Sequence, residues 1–191
     1  MDDQPAGNVH SNPHLTGDPL KVKGPDSDGS FSIPVRALNI TWGNDPRYWE
    51  LVKFCETESK QAGFEEGVVL QQVNWLQVTG KFKLVTFSIV PKTYKVYYIM
   101  NFNEDAFGWS HTPIKFKVKL QEGSESEVEV NLQQYREKPM TWHKVSVGEF
   151  NVVGDGSSMT AEVGMFEVET DWWKGGMILA GIRLEPNLLI T

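Results

Sequence analysis

An all-β fold, an antiparallel β-sandwich of jelly-roll type behind a disordered N-terminal arm, is what this sequence predicts. Three observations carry that reading. From Phe31 onward about eight short runs rich in Val, Ile, Tyr, Phe and Trp recur, turn residues (Gly, Pro, Asn, Asp) punctuate them, and there is little sign of long helices. With 191 residues, 40% hydrophobic and 12% aromatic, the chain has material for one domain with a core.

Taken in order, residues 1–30 are rich in Pro, Gly, Asp, Ser and His and nearly lack large apolar side chains. Such a segment cannot bury enough surface to offset the entropy of ordering it, so 1–30 is read as a disordered arm and 31–191 as the sandwich domain. His10 and His14 lie in the arm; Pro13 argues against the helix that would bring them together on a metal, and both are read as solvated.

The stretch Asn39–Glu50 reads NITWGNDPRYWE. Leu38, Ile40 and Trp42 alternate with Ala37, Asn39 and Thr41, which predicts a half-buried strand ending at Trp42. A turn follows, in which Gly43 is free to take positive φ, Asn44 and Asp45 can hydrogen-bond their own backbone, and Pro46 has a fixed φ. Arg47, Tyr48 and Trp49 would then project from a short stiff loop. Their flat rings lose little entropy on binding, although either tryptophan equally suits a core position that clamps the turn. Glu50–Ala62 has room for a short helix, limited by Gly63 and Gly67.

Strands are predicted at Val73–Phe82 and Tyr94–Phe102, then a hairpin from PIKFKVKL and SEVEVNL around Gln121, Glu122 and Gly123. In the hairpin Ile114, Phe116, Val118 and Leu120 share one face with Val128, Val130 and Leu132. A three-residue loop with Gly123 left-handed sets Lys115, Lys117 and Lys119 opposite Glu129, Glu127 and Glu125. Further strands follow at Trp142–Phe150, Met159–Val168 and Met177–Leu184. In the last, Ile178, Ala180, Ile182 and Leu184 line one face and Met177 and Leu179 the other, the pattern of a central strand. Trp75 and Trp142 are read as core residues. Trp172 and Trp173, being neighbours, would face opposite ways on a strand, and Trp109 is read as a loop indole able to extend a binding groove.

A formal charge of −7 argues against nonspecific attraction to nucleic acid or anionic lipid. The lone Cys55 permits no internal disulfide and is read as a packing residue in a reducing compartment. No apolar run is long enough to span a bilayer, and the first residues, MDDQPAGNVH, are acidic and polar where a secretory signal would be basic and then apolar. The expectation is an intracellular protein, with the sequon at Asn39–Thr41 unused. No metal cluster, phosphate loop or Ser/His/Asp order stands out, and no cofactor is expected.

ALNITWGNDPRYWE, VNWLQVTGKF, TYKVYYIMNF, WHKVSVGEF and WWKGGMILAGIRLEP match, in order, hallmarks of the plant phloem protein 2 family, which includes the tobacco agglutinin Nictaba and the cucurbit phloem lectins. The resemblance runs from about Ile33 to Pro186, and FGWSHTP (Phe107–Pro113) is similar to a segment of the longer phloem members. It implies a non-catalytic lectin of plant defence that binds N-acetylglucosamine (GlcNAc) oligomers, that is chitin oligosaccharides, and the N-glycan cores of glycoproteins, as a homodimer. The implied location is nucleocytoplasmic or the phloem sap and sieve elements, although the lysine run that serves Nictaba as a nuclear signal is missing. The family's two binding tryptophans fall on Trp42 and Trp49 and its implicated carboxylates on Glu162 and Glu169, with the segment from Glu169 to Trp173 shorter than in Nictaba.

Sugar chemistry suits these residues: an indole takes the C–H face of a pyranose, and Asn44, Asp45, Arg47 and Tyr48 can bond its hydroxyls and acetamide. The expected site is therefore Trp42, Asn44, Asp45, Arg47, Tyr48, Trp49, Glu162 and Glu169; if Trp42 ends its strand on the face of Leu38 and Ile40, it braces the turn and Trp49 is the ring that meets the ligand. Two other classes remain. A glycoside hydrolase would need Glu162 and Glu169 to converge, yet their spacing puts them on opposite faces of a regular strand. RNA or protein binding in phloem sap is permitted by the resemblance and discouraged by the charge.

Overall fold

The computed structural model describes residues 11–85, 92–121, 124–152 and 158–187. In them the predicted antiparallel sandwich is found. One five-stranded sheet runs in the order β2 (Asn39–Ile40), β5 (Leu76–Val85), β10 (Ser158–Glu167), β7 (Ile114–Leu120) and β8 (Glu125–Val130). The other, six-stranded, has β3 (Trp49–Lys53), β4 (Glu66–Leu70), β11 (Gly175–Asn187), β6 (Lys92–Phe107) and β9 (His143–Val152) in that order, and β1 (Phe31–Pro34) also pairs with β11.

The main core fills the space between the sheets. Inward residues alternate along each strand: Leu76, Val78, Phe82 and Leu84 on β5, Tyr94, Val96, Tyr98, Met100 and Phe102 on β6, and Ile114, Phe116, Val118 and Leu120 on β7. Tyr98 and Phe116 meet edge to face across the two sheets, 4.8 Å between centroids. A smaller cluster of Ala62, Phe64, Ile99 and Ala180, with Trp142 and Phe54 against it, lies apart from that core beside α1 (Glu56–Ala62). That helix starts after Cys55, whose N–H donates to Glu58, and stops at Gly63 in the left-handed conformation, φ 74°. It is shorter than the segment allowed for it, because Trp49–Lys53 forms β3 instead.

The hairpin keeps the predicted register, with Lys115 opposite Glu129, Lys117 opposite Glu127 and Lys119 opposite Glu125; Glu122 and Gly123 lie outside the described residues. The Lys117–Glu127 pair closes at 2.7 Å, whereas Lys115 is drawn to Glu169. The difference has a cause in the sheet: β7 is flanked on its other side by β10, so its lysines have a second set of partners.

Two expectations are corrected. β11 is central, but its faces differ from a regular strand because the register shifts between Leu179 and Gly181. The extra residue inverts the alternation, so Met177 and Leu179 join Ile182 and Leu184 in the main core and Ala180 faces the smaller cluster. The arm, expected to be disordered through residue 30, is bound to the domain from residue 12 onward, residues 1–10 lying outside the described set. Leu15 exchanges both backbone hydrogen bonds with Ile40 (3.0 and 2.9 Å), and Lys23 exchanges both with Ser32 (2.9 Å each). The segment supplies backbone partners to β2, which would otherwise be an open edge, and seats Leu15 and Val22 on the core.

Gly181 is needed for this packing: a Cβ there would meet the Ile33 carbonyl oxygen and the Phe64 ring, each at 2.6 Å. Gly181→Ala is expected to destabilise the fold by about 1–3 kcal/mol, seen as a lower urea midpoint with an unchanged slope.

Candidate functional site

The turn after β2 is built by backbone bonds. Gly43 N–H donates to the Ile40 carbonyl (2.9 Å), Asp45 N–H to that of Trp42 (3.0 Å), and the Tyr48 and Trp49 N–H groups both to that of Asp45 (3.0 Å each). The left-handed position is Trp42 (φ 63°), not Gly43. Gly43 serves a different need, since a Cβ there would lie 2.6 Å from Leu15 Cβ and 2.9 Å from Ile40 Cβ. The strand stops at Ile40 rather than Trp42 because the arm meets the chain here: Trp42 N–H donates to His14 Nδ1 (2.9 Å), and Asn44 Nδ2 donates to the carbonyls of Asn12 (3.0 Å) and His14 (2.9 Å).

Asp45 accepts from the Arg47 N–H (3.0 Å) and the guanidinium (2.6 Å). These bonds hold its carboxyl below the usual carboxylate range and push the Arg47 pKa up. The Arg47 guanidinium stands 5.4 Å from the Tyr48 ring centroid, and the Tyr48 ring lies 5.6 Å from Trp42. The loop therefore presents an indole, a phenol and a guanidinium in fixed order.

The burial of the two tryptophans is the reverse of what alternation from Leu38 implies. Trp49 opens β3 opposite Leu70 and is 2% exposed, an inward core residue whose Nε1 finds no partner among the described residues. Trp42 is 36% exposed, with His14 against it at 4.8 Å. The left-handed backbone at Trp42 breaks the alternation that would have continued from Leu38 and Ile40 into the core. Asn44 is a structural residue, occupied by the arm.

Neither glutamate joins this turn. Glu162 lies on β10 between Lys81 and Lys119 of the adjacent strands and pairs with Lys81 at 2.8 Å, which keeps its carboxyl below the usual range. It borders a shallow 330 Å³ groove with Asn39, Thr79, Lys117 and Phe166. Glu169 follows the end of β10, pairs with Lys115 and borders a 70 Å³ cavity with Thr112, Pro113, Phe166 and Val168. Glu162 and Glu169 thus pair with different lysines and border different pockets.

Sequence reasoning missed a group of aromatics at the same end of the sandwich. Trp75, Phe107, Trp172 and Trp173 are exposed, while Trp109, expected in a loop groove, is 1% exposed and donates from Nε1 to the Gly175 carbonyl (2.9 Å). Trp172 lies 4.2 Å from the His111 ring, and Trp75 Nε1 donates to Gln77 (3.0 Å). The available signal was the adjacency of Trp172 and Trp173 before two glycines: two neighbouring indoles in a loop can both face outward. Beneath them the buried Lys174 ammonium donates to Glu167 and to the Trp172 carbonyl (2.8 Å), and the Glu167 carboxylate also accepts from the Thr170 N–H (3.1 Å) and hydroxyl (3.0 Å).

Comparison with known proteins adds the following. Residues 28–186 match the sequence model of a family described as Phloem protein 2. The chain is 34% identical over 159 residues to Protein PHLOEM PROTEIN 2-LIKE A1 of Arabidopsis thaliana, with 82% of this chain and 61% of that protein covered. It is 31% identical over 161 residues to a protein named Lectin from Luffa acutangula, with 82% and 70% covered. It spans 61% and 37% of the lengths of the Arabidopsis proteins PHLOEM PROTEIN 2-LIKE A1 and A5. Among solved structures, the insecticidal crystal protein Cry2Aa superposes with a TM-score of 0.50 at 14% identity, over 85% of this chain and 22% of that one, a likeness of fold alone.

Lys174→Met would leave the Glu167 carboxylate buried without its counter-charge and is expected to lower stability by about 3–5 kcal/mol in denaturant unfolding. Adding Glu167→Gln should recover part of that loss, because a neutral amide can still accept from Thr170 with no charge left in the interior.

Proposed function

The chain belongs to the phloem protein 2 family, and from that premise we propose that it is a non-catalytic lectin for GlcNAc oligomers, including the chitobiose core of N-glycans. The observation that carries the reading is Trp42. It is an outward indole on a braced turn, with the Tyr48 phenol beside it and the Asp45–Arg47 pair at the rim. An indole face takes the C–H surface of a pyranose, and the phenol and ion pair supply donors and acceptors for hydroxyls and the acetamide.

In this reading Trp49 and Asn44 support the platform from within and from the arm side, and Glu162 and Glu169 lie beyond the first sugar. A platform this open holds one sugar weakly, at about millimolar or roughly −4 kcal/mol. A homodimer, the assembly we propose, would raise effective affinity for multivalent glycans. The setting we propose is the cytoplasm and phloem sap.

Titration with chitotriose is expected to quench tryptophan fluorescence, and Trp42→Ala is expected to abolish the response while leaving the unfolding midpoint near that of the wild type. Trp49→Ala should instead lower stability by about 3–5 kcal/mol, as removal of a core aromatic does. Wild-type chitotriose binding by Trp42→Ala would overturn the reading. Release of reducing ends on long incubation would point to an enzyme, and RNA binding that falls steeply with salt to a nucleic-acid partner.

A further inference from the structure

Resting on the reading of Trp42 as a sugar platform, we propose that the site continues along the rim of the five-stranded sheet, over Trp75 to Trp172, and takes a β-linked GlcNAc trisaccharide or longer chain lying across the strands. The register places these residues on one line. Thr41 N–H bonds the Gln77 carbonyl (3.1 Å), which sets the Trp42 turn beside the start of β5. Gln77 is opposite Phe166 at the end of β10, and Phe166 is opposite Lys115 at the start of β7. The ends of β2, β5, β10 and β7 are therefore level, and from first to last they span three interstrand spacings, about 14 Å.

Each stage of that span carries an aromatic ring. Trp42 follows β2 and is 36% exposed, Trp75 precedes β5 and is 47% exposed, and Trp172 follows β10 and is 53% exposed, with the ring of His111, from the segment before β7, tilted against it at 4.2 Å. The distribution over the surface is selective. Among the described residues the exposed large aromatics are Trp42, Trp75, Phe107, Trp172 and Trp173, all in turns or strand ends at this end of the sandwich. The other exposed large apolar side chains among the described residues, Leu20, Leu51, Val85 and Met140, carry no ring.

The rings are also held in place, which suits a preformed carbohydrate groove better than a flexible patch. Trp75 is fixed by its bond to Gln77, and the Trp172 carbonyl is bonded to the buried Lys174 ammonium. Gly108 lets the two loops close, since a Cβ there would collide with the Trp173 carbonyl oxygen. The occupant is a neutral sugar rather than an apolar protein face because polar groups are interleaved with the rings. The Lys115–Glu169 pair and Thr112, the residue after His111, line a 70 Å³ cavity whose apolar walls, Pro113, Phe166 and Val168, suit an acetamido methyl.

The test is calorimetric titration of chitobiose, chitotriose and chitotetraose into the wild type, Trp42→Ala, Trp75→Ala and Trp172→Ala. The three tryptophans are exposed, so the variants should keep the wild-type unfolding midpoint. Wild-type affinity is expected to rise with each added sugar. Trp172→Ala should weaken chitotetraose about tenfold while leaving chitobiose within about twofold, and Trp75→Ala should reduce chitotriose and chitotetraose alike, as loss of a stacking ring does. If Trp75→Ala and Trp172→Ala bind chitotetraose as the wild type does while Trp42→Ala is impaired at every length, the extension is overturned and the Trp42 site stands. If the wild type binds none of the three oligomers, the extension falls together with the reading it rests on.

Discussion

The ion pair between Glu167 and Lys174 ties the two sheets together at the end where the exposed aromatics gather. Glu167 is the last residue of one sheet's central strand, and Lys174 sits just before the other sheet's central strand, bonded through its backbone to Val73 (2.9 Å each way). Both side chains are almost wholly buried. Burying two charges is favourable only if their remaining hydrogen-bonding capacity is met, and here Thr170 and the Trp172 carbonyl meet it. That requirement shapes the connecting segment. Thr170 and Trp172 must turn their polar atoms inward, so the Trp172 and Trp173 side chains are left outside.

The turn at Trp42 solves a related problem with main-chain groups. Its bonds are made largely by N–H and carbonyl groups, with Asp45 closing the turn and the arm closing the edge of the sheet. Trp49, the residue on which β3 begins, anchors the turn in the core. One indole is consumed as an anchor, and the other is free to face solvent.

Legibility from sequence followed the range of the interactions. The hairpin could be read down to its charge register because period-two burial and cross-strand charge pairing are both local. The alternation of β11 could not, because the shift near Gly181 answers to the close approach of Ile33 and Phe64, residues far away in sequence. The outward placement of Trp42 is hidden for a similar reason: alternation from Leu38 puts Trp42 inward, whereas its backbone is left-handed and its N–H is bonded to His14 of the arm. The arm itself was missed because its attachment is mostly backbone, which leaves little trace in composition. Trp75, Trp172 and Trp173 look like core residues in a sequence, since Trp is usually buried. Apart from the adjacency of Trp172 and Trp173, nothing local distinguishes these indoles on a rim from indoles in a core.

The way the arm is fastened makes it part of the turn that it borders. Asn12, Pro13 and His14 are gripped through their carbonyl oxygens by Asn44, and Leu15 through its backbone by Ile40. Side chains take part as well: Asn12 Oδ1 accepts from the His14 N–H, His14 Nδ1 accepts from the Trp42 N–H, Leu15 packs on the core, and the His14 ring sits directly against Trp42. Substitution at position 14 would therefore remove at once the acceptor of the Trp42 N–H and the immediate neighbour of the outward indole, so a single arm residue couples the backbone of the turn to the surface that the turn presents.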